Sequence, residues 1–226
     1  LDYHKTKEDY VHSKSKLFAN QTAEDVAVLN YDSEICRALA ADIKAALLWF
    51  STKQEVEQGS FVRGDEIVFK RPQNGRLAQK LSEAPEIEKV LRLDELALPG
   101  THNLENILAG VSVARAAGAS IEAIRRVLRT FAGVEHRLEF VAEINGVKYY
   151  NDSKATNPEA ASRALASFVA PIIWIAGGLD RGIDFKELVP LLKKRVKAVI
   201  TYGQTAEKLL ARAEEAGIIR RKRVDN

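Results

Sequence analysis

Short apolar runs alternate along the chain with amphipathic stretches, and each change of period marks an element. Thr6–Asn20 carries Tyr10, Val11, Leu17 and Phe18 at helical spacing, with several lysines outward. Val26–Asn30 and Ala45–Ser51 are apolar runs of strand length. Between them Ser33–Ala41 reads as a short helix with Ser33 at the capping position. Phe61–Arg63 and Glu66–Lys70 predict a small hairpin around Gly64-Asp65, Asn74-Gly75 predicts a turn, and Glu86–Arg92 predicts one more short strand. Leu98-Pro99-Gly100-Thr101 breaks the chain ahead of a helix that runs to Ala117. Gly118 ends that helix and Ser120 caps the next, Ile121–Phe131, with Ile121, Ile124, Val127 and Leu128 on one face.

At Gly133 the period shifts from helical to alternating, which predicts a domain boundary. Phe140–Tyr150 is a hairpin turning at Asn145-Gly146, a pair that accepts positive φ at little cost. Glu159–Phe168 predicts a helix. Pro171–Ala176 is a continuous apolar run, which predicts a strand buried on both faces. Helix Phe185–Lys194, strand Val196–Tyr202 and helix Thr205–Ala216 follow. The expected fold class is therefore α/β. Residues 1–133 form the remainder of one α/β domain, and residues 134–226 form a Rossmann-like, mostly parallel α/β domain.

Composition narrows the partners. Of 226 residues 46% are hydrophobic, enough for packed cores. The 34 basic and 31 acidic residues leave a net charge of +3, which does not argue for nucleic acid. The basic run Arg220-Arg221-Lys222-Arg223 reads as a solvated chain end. Cys36 is the one cysteine: it excludes an internal disulfide framework, fits a reducing compartment, and reads as a core residue rather than a nucleophile. No apolar run approaches the ~18 residues of a membrane helix, so no membrane insertion is expected. The chain opens at Leu1 without methionine, which reads as a fragment.

Candidate chemistry concentrates in Tyr149–Pro158. Asp152, Ser153, Lys154 and Thr156 fall on a strand-to-helix loop, where open α/β sheets place ligands. A carboxylate, an ammonium and two hydroxyls could bind a ribose, a phosphate and a small acid; equally, the same residues serve turns and caps. Asn103 and Asn106 are one helical turn apart and expected to share a face, and their amides suit an adenine edge. His136 and Arg137 could contact an anion, or His136 could simply pair with Glu135 or Glu139. Gly177-Gly178 admits a ligand close to the backbone, with Arg181 at the carboxyl end of a strand, although Gly-x-Gly-x-x-Gly is absent. Lys14 and Lys16 read as surface charges on sequence alone.

Four of these stretches together resemble the Mur ligase family, in order and spacing across essentially the whole chain. They are Tyr10-Val-His-Ser-Lys14, His102-Asn-Leu-Glu-Asn106, Asn151-Asp-Ser-Lys-Ala-Thr-Asn157 and Gly177-Gly-Leu-Asp-Arg-Gly182. The third stretch is similar to that of the branch that joins D-glutamate to UDP-N-acetylmuramoyl-L-alanine, since sister ligases carry other residues there. The resemblance implies an ATP-dependent ligase using Mg2+ and forming an acyl phosphate during peptidoglycan precursor synthesis. It further implies a bacterial cytoplasmic monomer. Residues 1–133 would belong to the central ATP-binding domain and 134–226 to the amino-acid-binding domain, with a hinge at Gly133–Arg137.

By the same resemblance, Lys14 carries a carbamate at the metal site. His102, Asn103 and Asn106 surround the base, Asn106 being the best candidate; His136 and Arg137 reach the nucleotide, and Asp152 holds the ribose. Lys154 meets phosphate and acyl-phosphate oxygens, while Thr156 and Arg181 bind D-glutamate. The family often has lysine where Arg181 stands; arginine would make a bidentate contact. The family's phosphate loop, its metal-binding histidine, its uridine-nucleotide domain and a C-terminal serine and aromatic residue are not found in these 226 residues. The polypeptide alone is therefore expected to be inactive. Another ligase of the Mur and folylpolyglutamate synthetase superfamily, or a non-catalytic nucleotide-binding fragment, stands as the alternative.

Overall fold

The computed structural model describes residues 5–98, 101–169 and 171–225, without the side chains of Thr101 and His102. The chain divides into two compact units, Leu1–Ala132 and Gly133–Asn226.

The first unit is built on a mixed sheet in the order β1 (Val26–Asn30), β2 (Ala46–Ser51), β3 (Gly59–Arg63), β4 (Glu66–Lys70) and β5 (Ile87–Arg92). The pairs β1–β2 and β2–β3 are parallel, and the rest antiparallel. One side of the sheet packs Leu48, Ile67 and Phe69 against Leu108 and Val111 of the long helix Thr101–Ala117 and Ile121 and Ile124 of helix Ile121–Thr130. A smaller cluster of Val56, Phe61 and Val68 draws in Tyr31 and Trp49, whose rings meet edge to face at 5.2 Å. Two buried hydroxyls bind the long helix to β3: Ser112 donates to Ser60, and Ser60 donates to the carbonyl of Leu108.

Several expectations for this unit need correction. The single helix over Thr6–Asn20 splits into Lys7–Ser15, capped by Thr6, and a tighter turn at Lys16–Phe18. Ser15 donates its hydroxyl to the carbonyl of His12, a local bond that competes with helix continuation. Leu17 is 76% exposed, so the anticipated apolar face is not buried. Asn74 does not close a turn; it precedes a helix, Gly75–Lys80, that buries Leu77 and Ala78. Cys36 lies on a helix, Glu34–Leu39, with no buried residue, so it is not core.

In the second unit, hairpin β6 (Glu139–Ile144) and β7 (Val147–Asn151) turns through Asn145 and Gly146 at φ 51° and 75°. The helix that follows, Pro158–Ala166, is capped by Asn157, whose side chain accepts from the N–H of Ala160. A parallel sheet then forms in the order β10 (Arg220–Arg223), β9 (Val196–Gly203), β8 (Ile172–Gly178). Helices Val189–Arg195 and Ala206–Glu215 connect its strands.

The helices cover one face of this sheet, burying Leu165, Leu188, Leu192, Val199 and Ala213. On the other face Ile173 is 49% and Ile175 62% exposed, so β8 is not buried on both faces as its composition predicts. The basic run Arg220–Arg223 is a strand rather than a loose end. Its backbone pairs with β9, while Arg221 and Arg223 tie to Glu214 and Glu207 of the Ala206–Glu215 helix.

Candidate active site

Each unit carries its own candidate residues. In the first, Lys14 is exposed and holds its ammonium 5.5 Å from the centroid of the Tyr10 ring. Among the described residues no group of three His, Cys, Asp or Glu side chains could hold a metal ion. An ammonium is itself a cation, so these residues as they stand do not fit magnesium. Asn103 and Asn106 sit in the first turns of the long helix, but Asn103 is buried and Asn106 exposed. They do not present one common surface, and Asn106 is the amide open to a ligand. The side chain of His102 lies outside the described residues.

In the second unit, the segment entering β6 folds back on the loop leaving β7. His136 and Leu138 take φ values of 65° and 46°, rare for residues with a side chain. Specific bonds hold them there. The N–H of His136 donates to the Glu139 carboxylate at 2.8 Å, and that of Leu138 donates to Asp152 at 3.0 Å. Lys154 donates its own N–H to the carbonyl of His136. Asn151 completes the lock: its amide nitrogen lies 2.8 Å from His136 Nδ1 and 3.3 Å from Glu139, and its oxygen accepts from the N–H of Ser153. An amide nitrogen can only donate, so in this contact His136 Nδ1 stands as the acceptor.

His136, Arg137, Asp152 and Lys154, far apart in sequence, thus meet in one structure. The Arg137 and Lys154 side chains are exposed and make no ion pair among the described residues. Thr156 is exposed on the same loop, one residue before the Asn157 cap. Asn151 and Glu139 were missed as site residues. Pairing of His136 with Glu139 is one of the readings the sequence offers, and the structure shows that contact; nothing in the pattern shows that Asn151 would join it.

At the carboxyl end of β8, Gly177 lies so close to β9 that an added Cβ would sit 2.0 Å from the carbonyl oxygen of Tyr202. The loop beyond it is pinned to the following strand and helix. Gln204 accepts from the N–H of Asp180, Asp180 accepts from the N–H of Gly182, and Lys208 lies 2.6 Å from the Asp180 carboxylate. The Lys208 hydrogen bond, then the Gly182 N–H, hold the Asp180 carboxyl below its ordinary pKa. Arg181, next in the chain, is exposed and unpaired among the described residues. Gln204 and Lys208 carry no sequence signal, because they lie on later elements. Chemically, the loop after β7 and the loop after β8 each offer fixed positive charge to oxyanions.

Comparison with known proteins accounts for both units. A family model described as Mur ligase middle domain matches residues 1–114, and one described as Mur ligase, glutamate ligase domain matches residues 136–225. UDP-N-acetylmuramoylalanine–D-glutamate ligase of Bacillus subtilis is 49% identical over all 226 residues, which cover 46% of that protein. The Bacillus mycoides protein of the same name is 46% identical over 218 residues, 96% of this chain and 45% of the relative. The chain thus spans about half the length of the curated relatives it matches. Among solved structures, MurF of Acinetobacter baumannii superposes with a TM-score of 0.65 at 18% identity, over 96% of this chain and 47% of that one. Folylpolyglutamate synthase of Mycobacterium tuberculosis, complexed with ADP and AMPPCP, gives 0.65 at 18% identity over 100% of this chain and 52% of that one.

Proposed function

Because this chain belongs to the Mur ligase family, we propose that it is the nucleotide- and amino-acid-binding part of an ATP-dependent ligase that joins D-glutamate to UDP-N-acetylmuramoyl-L-alanine. The observation that carries this reading is the loop Asn151–Asn157, present in a chain 46–49% identical throughout to D-glutamate ligases. Fold likeness does not choose among amino acids, since MurF and folylpolyglutamate synthase superpose equally well. Adenine-nucleotide binding by the folylpolyglutamate synthase relative supports ATP here.

A carboxylate is a poor electrophile because its leaving group would be an oxide. The muramoyl-alanine carboxylate therefore attacks the γ-phosphorus of ATP, ADP leaves, and an acyl phosphate forms. The free amine of D-glutamate adds to the acyl carbon, and the tetrahedral intermediate expels inorganic phosphate to leave an amide, the amine proton passing to solvent or phosphate. Catalysis of this kind is mainly positioning and charge neutralisation. Residues 1–133 contribute to the nucleotide, and 134–226 to the amino acid and part of the nucleotide. Asn106, with His102 and Asn103, serves the base; Arg137 and His136 meet phosphate; Asp152 accepts from a ribose hydroxyl. Lys154 neutralises the acyl-phosphate oxygens, and Thr156 and Arg181 take the D-glutamate carboxylates.

Lys14 joins a magnesium site only as a carbamate, which turns its positive charge negative; labelled bicarbonate would then give a carbamate signal lost in Lys14→Arg. By the same family reading the enzyme acts as a monomer in the bacterial cytoplasm; separately, no described helix is long and apolar enough to cross a membrane. Sedimentation of the full-length protein tests the monomer. The decisive experiment measures phosphate release by the full-length protein with ATP, magnesium and UDP-N-acetylmuramoyl-L-alanine. Release that requires D-glutamate, and is not elicited by L-glutamate or other amino acids, is expected. Release with another amino acid would reassign the branch, and no release with any would leave a binding fragment.

A further inference from the structure

The β8 loop places opposite charges on consecutive residues, Asp180 and Arg181, where an anionic substrate is to be bound. Left to itself, such a carboxylate competes with the substrate for the arginine. The structure shows how the competition is avoided. Asp180 is held in a clasp made by three groups: the Lys208 ammonium at 2.6 Å, the N–H of Gly182 at 2.9 Å, and Gln204, which holds the Asp180 backbone at 3.1 Å. Asp184, further along the loop, is occupied in the same way by Arg212 at 3.3 Å. Both carboxylates of the loop are thus satisfied by the Ala206–Glu215 helix, and Arg181 is the loop's cation without a counter-charge among the described residues.

We propose that Lys208 is a positioning residue for the amino-acid subsite, neutralising Asp180 so that Arg181 stays open to a substrate carboxylate. The proposal deepens the reading of Arg181 given above and rests on it. Lys208 touches no substrate in this scheme and acts only through Asp180. Its loss leaves a part-buried negative charge next to Arg181, which closes on it and also repels the incoming D-glutamate. Removing the Asp180 charge as well restores the arginine. Asp180→Asn is the suitable second change, because an amide oxygen still accepts from the N–H of Gly182.

The test is a double-mutant cycle in the full-length ligase, with steady-state constants for D-glutamate and for ATP. Lys208→Met is expected to raise KM for D-glutamate about fivefold, the scale of one part-exposed charge pair, with KM for ATP unchanged and kcat within about twofold. Lys208→Met/Asp180→Asn is expected to return KM to within about twofold of wild type, and Lys208→Arg to retain it. A double variant as impaired as Lys208→Met overturns the proposal and assigns Lys208 to direct substrate contact or to folding. An unchanged KM in Lys208→Met overturns it too. Arg181→Gln separates the two levels. If it raises KM for D-glutamate while Lys208→Met does not, only the role of Lys208 falls; if it leaves that KM unchanged, the reading of Arg181 falls with it.

Discussion

A side chain is available for chemistry only when its neighbours do not already occupy it. Glu139, Asn151 and Asp180 are spent on backbone and partner groups, whereas Arg137, Lys154 and Arg181 stay exposed and unpaired among the described residues. This division identifies Lys154 as the group to remove. Lys154→Ala in the full-length ligase should lower kcat about 100- to 1,000-fold, the usual scale for one charge-stabilising group at a developing oxyanion. Nucleotide affinity should change far less, and single-turnover acyl-phosphate formation followed beside ATP binding separates the two. Asn151→Ala should act differently. It releases His136 and the N–H of Ser153 and loosens a backbone held at positive φ, so it should raise KM for ATP about tenfold with a smaller effect on kcat. The motif made Lys154 and Asp152 legible as candidates. It left the work of Asn151 hidden, because its partner His136 is fifteen residues away in sequence, whereas Glu139, three residues from His136, was readable as its partner.

Elements formed where sequence and packing agreed. The strands Val26–Asn30 and Glu66–Lys70 were readable because an apolar run and burial coincide, and the Asn145-Gly146 hairpin because its turn chemistry is explicit even though its apolar side chains stay exposed. The strand Arg220–Arg223 was not, since four consecutive basic residues have no apolar alternation; pairing with β9 and ion pairs to Glu207 and Glu214 override composition. Gly177 shows the reverse dependence, a local residue fixed by a distant strand. Gly177→Ala would drive a methyl into the backbone of Tyr202, so β8 and β9 must separate. Destabilisation by about 3 kcal/mol or more is expected, read from urea unfolding of the second unit's tryptophan, Trp174. Ion pairs between elements add a pH dependence. Hydrogen bonds from Arg63, Arg92, Arg129 and Lys208 hold the carboxyls of Glu55, Asp94, Glu95 and Asp180 below their ordinary values. A depressed folded pKa stabilises above the unfolded value and is lost as pH falls through the folded one. The melting temperature should therefore hold from neutrality to about pH 5 and drop below about pH 4. High salt at neutral pH should reproduce part of the loss, because three of the pairs are exposed and the Asp180–Lys208 pair is only half-buried.

At the scale of the whole molecule, the two units are built on cores with no residue in common. Leu48, Phe69 and Leu108 anchor the unit assigned to the nucleotide, and Leu188, Leu192 and Val199 the unit assigned to the amino acid. The boundary was legible because Gly133 coincides with a change of period; the bare face of β8 was not, since an apolar run looks the same whether one face or two are covered. Separate cores should unfold separately. The sharpest probe is the ion pair of Arg115 and Glu88, 2.8 Å apart with side chains only 7% and 11% exposed. Arg115 also donates to the carbonyl of Ala119 and lies over the ring of Phe69, so it cannot swing out to water without leaving the core. Glu88→Ala strands that guanidinium in an apolar setting, at a cost of about 3–5 kcal/mol. Amide hydrogen exchange should then accelerate across β4, β5 and the Thr101–Ala117 helix while β8 and β9 keep their protection. Leu192→Ala should give the opposite pattern, and acceleration of both sets by either change would mean that the two units fold as one.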